Sequence, residues 1–118
     1  VVDSRYEGFR FGPLDNIADN SSAGQVVLGD LVPGRDFDLA LLGVVVESDG
    51  ALFATAAGAA ALDHPAAAVA WLVNQDRRRL RAGDLVISGG LTAPVDLQPG
   101  TVVTATFDRI GTIGLRAA

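Results

Sequence analysis

The sequence predicts an α+β domain that is mostly β and carries one main helix. Three observations predict it: an Asp49-Gly50 step between two β-prone runs, a change of hydrophobic period at Pro65, and an alternating run over 101–107 that turns back through Asp108-Arg109-Ile110-Gly111. No low-complexity linker or internal repeat interrupts the chain, so residues 1–118 read as a single domain.

The first predicted strand is Gln25-Val26-Val27-Leu28-Gly29, a short apolar run closed by glycine. The second covers Asp38 to Glu47, nearly continuously apolar through Leu39-Ala40-Leu41-Leu42-Gly43-Val44-Val45-Val46. Ser48-Asp49-Gly50 then folds it into a hairpin with Ala51-Leu52-Phe53-Ala54-Thr55, because Asp-Gly readily adopts the positive φ angles of a tight hairpin turn. Gly58 and the alanines after it mark a stretch where backbones pass closely.

From Pro65 the apolar residues Val69, Leu72 and Val73 recur at helical spacing among alanines, beside Trp71, and predict the helix over about 65–80. Asp63 or His64 is its predicted cap, Pro65 occupies the first turn, and Gly83 stops it. Beyond it, Asp84-Leu85-Val86-Ile87-Ser88 reads as a strand entering a Gly89-Gly90 loop. Two last strands, 101–107 and 112–116, close the domain.

Hydrophobic residues make up 49% of the chain and charged residues 19%, a globular balance. No apolar run approaches the roughly 20 residues that cross a bilayer, and the first residues lack the order of a signal peptide, so a soluble, cytoplasmic protein with no membrane partner is expected. Zero cysteines exclude disulfides and thiolate chemistry. A net charge of −5 argues against a nucleic-acid partner, which would need a basic face. All nine basic residues are arginine, so nothing here can form a Schiff base.

Few residues could carry chemistry. His64, the single histidine, precedes a proline at a helix start and reads as a cap rather than an acid or base. Asp36 and Asp38 form a D-x-D pair, yet a hard-metal site needs several converging oxygens, and a loop boundary explains them as well. Arg77-Arg78-Arg79 with Arg81 could bind an anion, although a cationic helix end is the simpler reading. Asn20-Ser21-Ser22 offers an amide, hydroxyls and turn N–H groups that can cradle a carboxylate without a counter-charge, and it would otherwise be an ordinary turn. Ser88-Gly89-Gly90-Leu91-Thr92 is similar, with two glycines for close approach and one donor in Thr92.

The order Val2-Asp3-Ser4-Arg5-Tyr6, Phe9-Arg10-Phe11, Ile17-Ala18-Asp19-Asn20-Ser21-Ser22, Leu42-Gly43-Val44-Val45, Gly58-Ala59-Ala60-Ala61-Leu62, His64-Pro65, Ala70-Trp71-Leu72, Ala82-Gly83-Asp84, Ser88-Gly89-Gly90-Leu91-Thr92, Pro99-Gly100 and Ile110-Gly111-Thr112-Ile113 resembles the 2-oxopent-4-enoate hydratase and 4-oxalocrotonate decarboxylase family. That family, of the meta-cleavage route of aromatic hydrocarbon catabolism, sits within the fumarylacetoacetate hydrolase-like superfamily. The resemblance therefore implies a twisted mixed β-sheet roll.

It also implies that the chain is the C-terminal half of a longer catalytic domain, since such enzymes are about twice this length. The family's metal-binding E-x-E pair and lysine lie in the other half, and its third glutamate directly precedes the segment matching Val1-Val2-Asp3. No metal ligand is therefore expected in this chain, Glu7 and Glu47 matching none, and the 118 residues alone are expected to be inactive. A proteolysed, truncated or partly observed enzyme would account for this.

Activity implied by the resemblance is that of a lyase using Mg²⁺ or Mn²⁺ to polarise a 2-oxo acid and stabilise a dienolate. The decarboxylase reading takes 2-oxohex-3-enedioate (4-oxalocrotonate), and the hydratase alternative takes 2-hydroxypenta-2,4-dienoate. Tyr6 after Arg5, Phe9, and Gly89-Gly90 before Leu91-Thr92 look decarboxylase-like, whereas Ala70-Trp71-Leu72 looks hydratase-like.

By the same resemblance Ser21 and Ser22 are the catalytic candidates, Asn20, Gly90 and Thr92 contact substrate, and Asp19 stands behind them. A small 2-oxo acid, a homo-oligomer and association with the pathway's cognate hydratase or decarboxylase are the implied partners. An alternative of another class is a non-catalytic half domain that only binds a partner or a small acid.

Overall fold

The computed structural model describes residues 1–34, 37–76 and 80–118. Its framework is a four-stranded antiparallel sheet in the order β2-β1-β3-β4, formed by β1 (Gly43–Ser48), β2 (Ala51–Ala57), β3 (Val102–Phe107) and β4 (Gly111–Arg116). Two helices accompany it: α1 (Pro13–Ala18) and α2 (Pro65–Asp76).

The β1–β2 hairpin forms where Asp49-Gly50 predicts it, with φ of 51° and 78° at the two residues. Asp49 also anchors the next strand, because its Oδ1 accepts the Val102 amide at 2.8 Å while its own amide donates to the Val102 carbonyl at 2.8 Å. At the other hairpin Arg109 takes φ 58° and Gly111 φ 128°, and β4 returns along β3 with Thr106 opposite Thr112. A β-bulge between Val46 and Glu47 shifts the β1–β2 register by one residue.

Period-2 alternation sorts β1 into two faces. Val44 and Val46 are buried and Val45 is exposed between them. With Leu42 and Ala61 they make up the buried apolar residues among those described, a small core that leaves Leu28, Leu52, Leu85 and Ile87 exposed.

Several expected elements differ. Residues 38–42 are a turn rather than the start of β1, because Asp38 Oδ1 takes the Ala40 amide at 3.0 Å and its carbonyl takes the Leu41 amide at 3.1 Å. Neither 25–29 nor 84–88 forms a strand: both run without regular ladder partners. α2 is helical through Asp76, Arg77 to Arg79 lie outside the described residues, and Leu80 is already past the helix.

His64 Nδ1 accepts the Ala66 amide at 3.0 Å, so histidine rather than Asp63 caps α2. α1 was not anticipated. Its signal is Gly12-Pro13, with proline at the first helical position and Asp15 Oδ2 accepting the Gly12 amide at 3.0 Å.

Gly58 shows the close backbone passage its sequence suggests. A Cβ there would lie 1.8 Å from the Leu39 carbonyl oxygen. The contact ties the segment before β1 to the turn after β2, through Gly58 N–H to Leu42 O and Ala59 N–H to Ala40 O, both 2.9 Å.

Candidate functional site

The most highly built part of the molecule is the turn that follows α1. Asp19 ends the helix at φ −85°, and Asn20, Ser21 and Ser22 then follow at φ 50°, 54° and 57°. Three consecutive left-handed L-residues are strained, since each brings its Cβ toward its own carbonyl, and they persist only where neighbours over-determine them.

Asp19 and Arg5 are those neighbours. The Asp19 carboxylate is buried; its Oδ2 accepts the Ser4 hydroxyl at 3.0 Å, the Ser22 hydroxyl at 3.1 Å and the Arg5 amide at 3.3 Å, and its Oδ1 accepts Arg5 Nε. Arg5 also donates three bonds to main chain, with Nη2 on the Asp19 carbonyl and Nη1 on the carbonyls of Asp3 at 3.2 Å and Ala23 at 3.0 Å. The same two stretches are joined by Asp3 N–H to Ser22 O at 2.7 Å and an antiparallel bridge between Val2 and Ala23. Gly24 allows the contact, because a Cβ there would meet Asp3 Cβ at 2.7 Å.

Burial pushes the Asp19 carboxyl up, but hydrogen bonds from Ser4, Arg5 and Ser22 outweigh it and hold the group below the usual carboxylate range. Tyr6 moves the other way: burial, then the charges of Asp15 and Asp19, raise its phenol. The network splits the predicted trio. Ser22 is buried with its hydroxyl committed to Asp19, whereas Asn20 and Ser21 are exposed.

The second predicted loop lies beside a cleft of about 490 Å³. It is lined by Val44, Val46 and Phe107 of the sheet together with Val27, Leu85 and Ile87, with Ser88, Gly89 and Thr92 supplying its polar part and no charged residue lining it among the described residues. Gly89 sits at φ 112°, a conformation side chains avoid. Thr92 is half-buried and donates to the Ala93 carbonyl at 3.0 Å; Gly90 is exposed and lies outside the lining.

Asp19 and Ser22 are therefore brought together, while none of Asn20, Ser21 and Ser22 lines the cleft that Thr92 enters. Among the described residues no three histidines or carboxylates gather where they could hold a metal. Asp38 closes its own turn, and Asp36 and the Arg77 to Arg79 run lie outside the described residues. The sequence marks Ser4 and Arg5 only as part of the Val2–Tyr6 motif, with no place beside Asp19. Nothing local signals a pairing between residues fourteen positions apart.

Comparison with known proteins gives this arrangement its context. The chain belongs to the Fumarylacetoacetate (FAA) hydrolase C-terminal family, which it matches over residues 5–116. It is 38% identical over 120 residues to a 4-oxalocrotonate decarboxylase of Pseudomonas putida, covering 98% of this chain and 46% of that protein. It is 37% identical over 117 residues to a 2-keto-4-pentenoate hydratase of Paraburkholderia xenovorans, covering 96% and 44%. The solved 4-oxalocrotonate decarboxylase of Pseudomonas putida G7, complexed with magnesium and adipate, superimposes with a TM-score of 0.90 at 37% identity over 99% of this chain and 46% of that one. A second structure of that enzyme holds calcium and acetate, at a TM-score of 0.87. The chain thus spans about half the length of the relatives it matches.

Proposed function

We propose that this chain is the C-terminal half of a lyase acting on small 2-oxo acids, and that the complete enzyme decarboxylates 2-oxohex-3-enedioate. The observation carrying this reading is the match, over nearly its whole length, to a decarboxylase crystallised with a six-carbon dicarboxylate. Hydration of 2-hydroxypenta-2,4-dienoate is the second reading, supported by the equally extensive 37% identity to a hydratase. The half-domain assignment is supported by the small core, since apolar side chains such as Leu85 and Ile87 stay exposed around the cleft.

A divalent cation, Mg²⁺ or Mn²⁺, belongs to this proposal because the decarboxylase neighbours hold magnesium or calcium. The described residues here do not fit one: no three candidate ligands converge, and the Asp19 carboxylate is committed to Arg5, Ser4 and Ser22. We assign the ligands to the part of the relatives' length that the chain does not match.

What this chain's own residues contribute is binding and orientation. The exposed Asn20 amide and Ser21 hydroxyl hydrogen-bond the polar end of the acid, and Ser22 supports them from within. The apolar walls of the cleft hold the hydrocarbon portion away from water, which strengthens the polar contacts at its ends. Thr92 and the Gly89 backbone, in the polar part of the cleft, meet a carboxylate. Association into homo-oligomers, and with the pathway's cognate enzyme, is part of the same proposal.

The test is turnover by the complete protein, verified by intact mass, with both substrates offered with and without Mg²⁺ and after EDTA treatment. Metal-dependent CO₂ release from the first substrate supports the decarboxylase. Consumption of only the second establishes the hydratase. Silence with both refutes the lyase reading and leaves a binding half domain.

A further inference from the structure

We propose that Arg5 and Asp19 are positioning residues for the reaction proposed above: their ion pair fixes the left-handed run Asn20–Ser22 against the segment Val1–Arg5, and thereby sets the Asn20 amide and Ser21 hydroxyl in their working orientation. The inference rests on the lyase reading; it gives Arg5 a role, and gives the Asp19 that the resemblance places behind the site a specific one, exerted through their neighbours.

Three observations carry it. The first is the completeness of the Arg5 fork, whose three nitrogens reach the Asp19 carboxylate and the carbonyls of Asp3, Asp19 and Ala23. A guanidinium held at all three of its nitrogens spans two chain segments rigidly, as a lysine ammonium on its flexible stem does not.

The second is that the buried Asp19 carboxylate is already engaged by four donors. Its Oδ2 takes three donors and its Oδ1 takes Arg5, so a carboxylate that would otherwise pass for a metal ligand or a base is occupied in holding other groups. Its lowered affinity for protons makes it a poor base near neutrality in any case.

The third is where the strain sits. Left-handed φ values at Asn20, Ser21 and Ser22 are enforced by the buried Ser22–Asp19 bond and the Asp3–Ser22 main-chain bond, yet the two side chains thereby aimed are exposed and polar. An ordinary surface turn has no need of three successive disfavoured residues. Strain stored under exposed polar groups is the mark of a geometry maintained for contact.

The experiment compares the complete wild-type enzyme with Asp19→Asn, Arg5→Lys and, as a control on an exposed arginine away from the site, Arg109→Gln on the β3–β4 turn. Folded state is verified by circular dichroism. Positioning predicts a fall in kcat of about 10²-fold for Asp19→Asn and Arg5→Lys with substrate KM changed by less than about threefold, because an orientation error of an ångström acts on the reacting geometry more than on affinity. Arg109→Gln is expected to match wild type.

Unchanged kcat in folded Asp19→Asn or Arg5→Lys overturns the proposal, as does a loss that merely follows the unfolded fraction. Mg²⁺-dependent binding of oxalate, measured by calorimetry, separates failure of this idea from failure of the lyase reading. A wild type silent with both substrates refutes that reading alone. Because planar oxalate resembles the enolate formed during turnover rather than the ground-state substrate, weaker oxalate binding by Asp19→Asn then still supports positioning, and equal binding, or none by either protein, overturns it.

Discussion

Replacing Gly58 with alanine tests the closest backbone contact in the fold. The new Cβ would stand 1.8 Å from the Leu39 carbonyl oxygen and 3.3 Å from Pro65 Cγ. Carbon and carbonyl oxygen tolerate about 3.3 Å, so the two backbones must part by roughly 1.5 Å. Neither partner is a flexible side-chain tip that could swing aside.

The hydrogen bonds Gly58–Leu42 and Ala59–Ala40, both 2.9 Å, cross the same gap and would stretch beyond bonding range. Their loss at about 1 kcal/mol each, with repacking strain of at least about 1 kcal/mol, totals on the order of 3 kcal/mol. For a unit of this size that lowers the melting temperature by about 10–20 °C. Gly43→Ala is the natural comparison, because nothing lies within 4 Å of its Cβ position and its φ is not left-handed. Alanine there is expected to be neutral or to stabilise by about 0.4–1 kcal/mol through a less flexible unfolded chain. Thermal melts followed by far-UV circular dichroism read both. A Gly58→Ala protein melting within about 2 °C of wild type would refute the clash argument.

Acid stability follows from Asp19. Its folded pKa is depressed, so the unfolded state binds the proton more readily; the stabilisation is full above the unfolded carboxylate value of about 3.9 and is lost as pH falls through the lower folded value. Asp19→Asn should therefore flatten the loss of stability between about pH 5 and 2, and denaturant midpoints across that range check it. Asp49→Ala removes the acceptor for Val102 N–H at the β1–β2 turn and should cost about 1 kcal/mol, read as a shifted urea midpoint with unchanged slope. Thr92→Val keeps the shape of the cleft's polar part while deleting its hydroxyl; in the complete enzyme it should lower kcat/KM by about tenfold, and an unchanged value removes Thr92 from the site.

Local chemistry was the legible part of this fold. Asp49-Gly50 specifies its hairpin by backbone preference alone, and Pro65 behind His64 marks the start of α2 because the ring fixes φ and the imidazole receives an amide two residues on. The Gly58 passage was legible for the same reason, since a residue without Cβ among alanines has few other uses. The Gly12-Pro13 start of α1 was equally readable, but only six residues of helix follow and leave no periodic stripe to find.

What failed in the sequence depends on partners. Residues 25–29 and 84–88 have the composition of strands, and Val26 to Leu28 and Leu85 to Ile87 line the cleft together with Val44 and Val46. Composition of that kind reports fitness for a pleated, half-buried surface; a strand additionally needs a neighbour to accept its amides. The candidate site divides along the same line. Asn, Ser and Gly at positions 20–22 and 88–90 announce turns able to meet a ligand, which is a property of the residues themselves. That Ser22 faces inward and Asn20 and Ser21 outward is decided by Arg5, fifteen residues earlier in the case of Asn20, through a carboxylate whose burial no local pattern encodes. The polar inventory of such a site is local information, and the direction in which it points is tertiary.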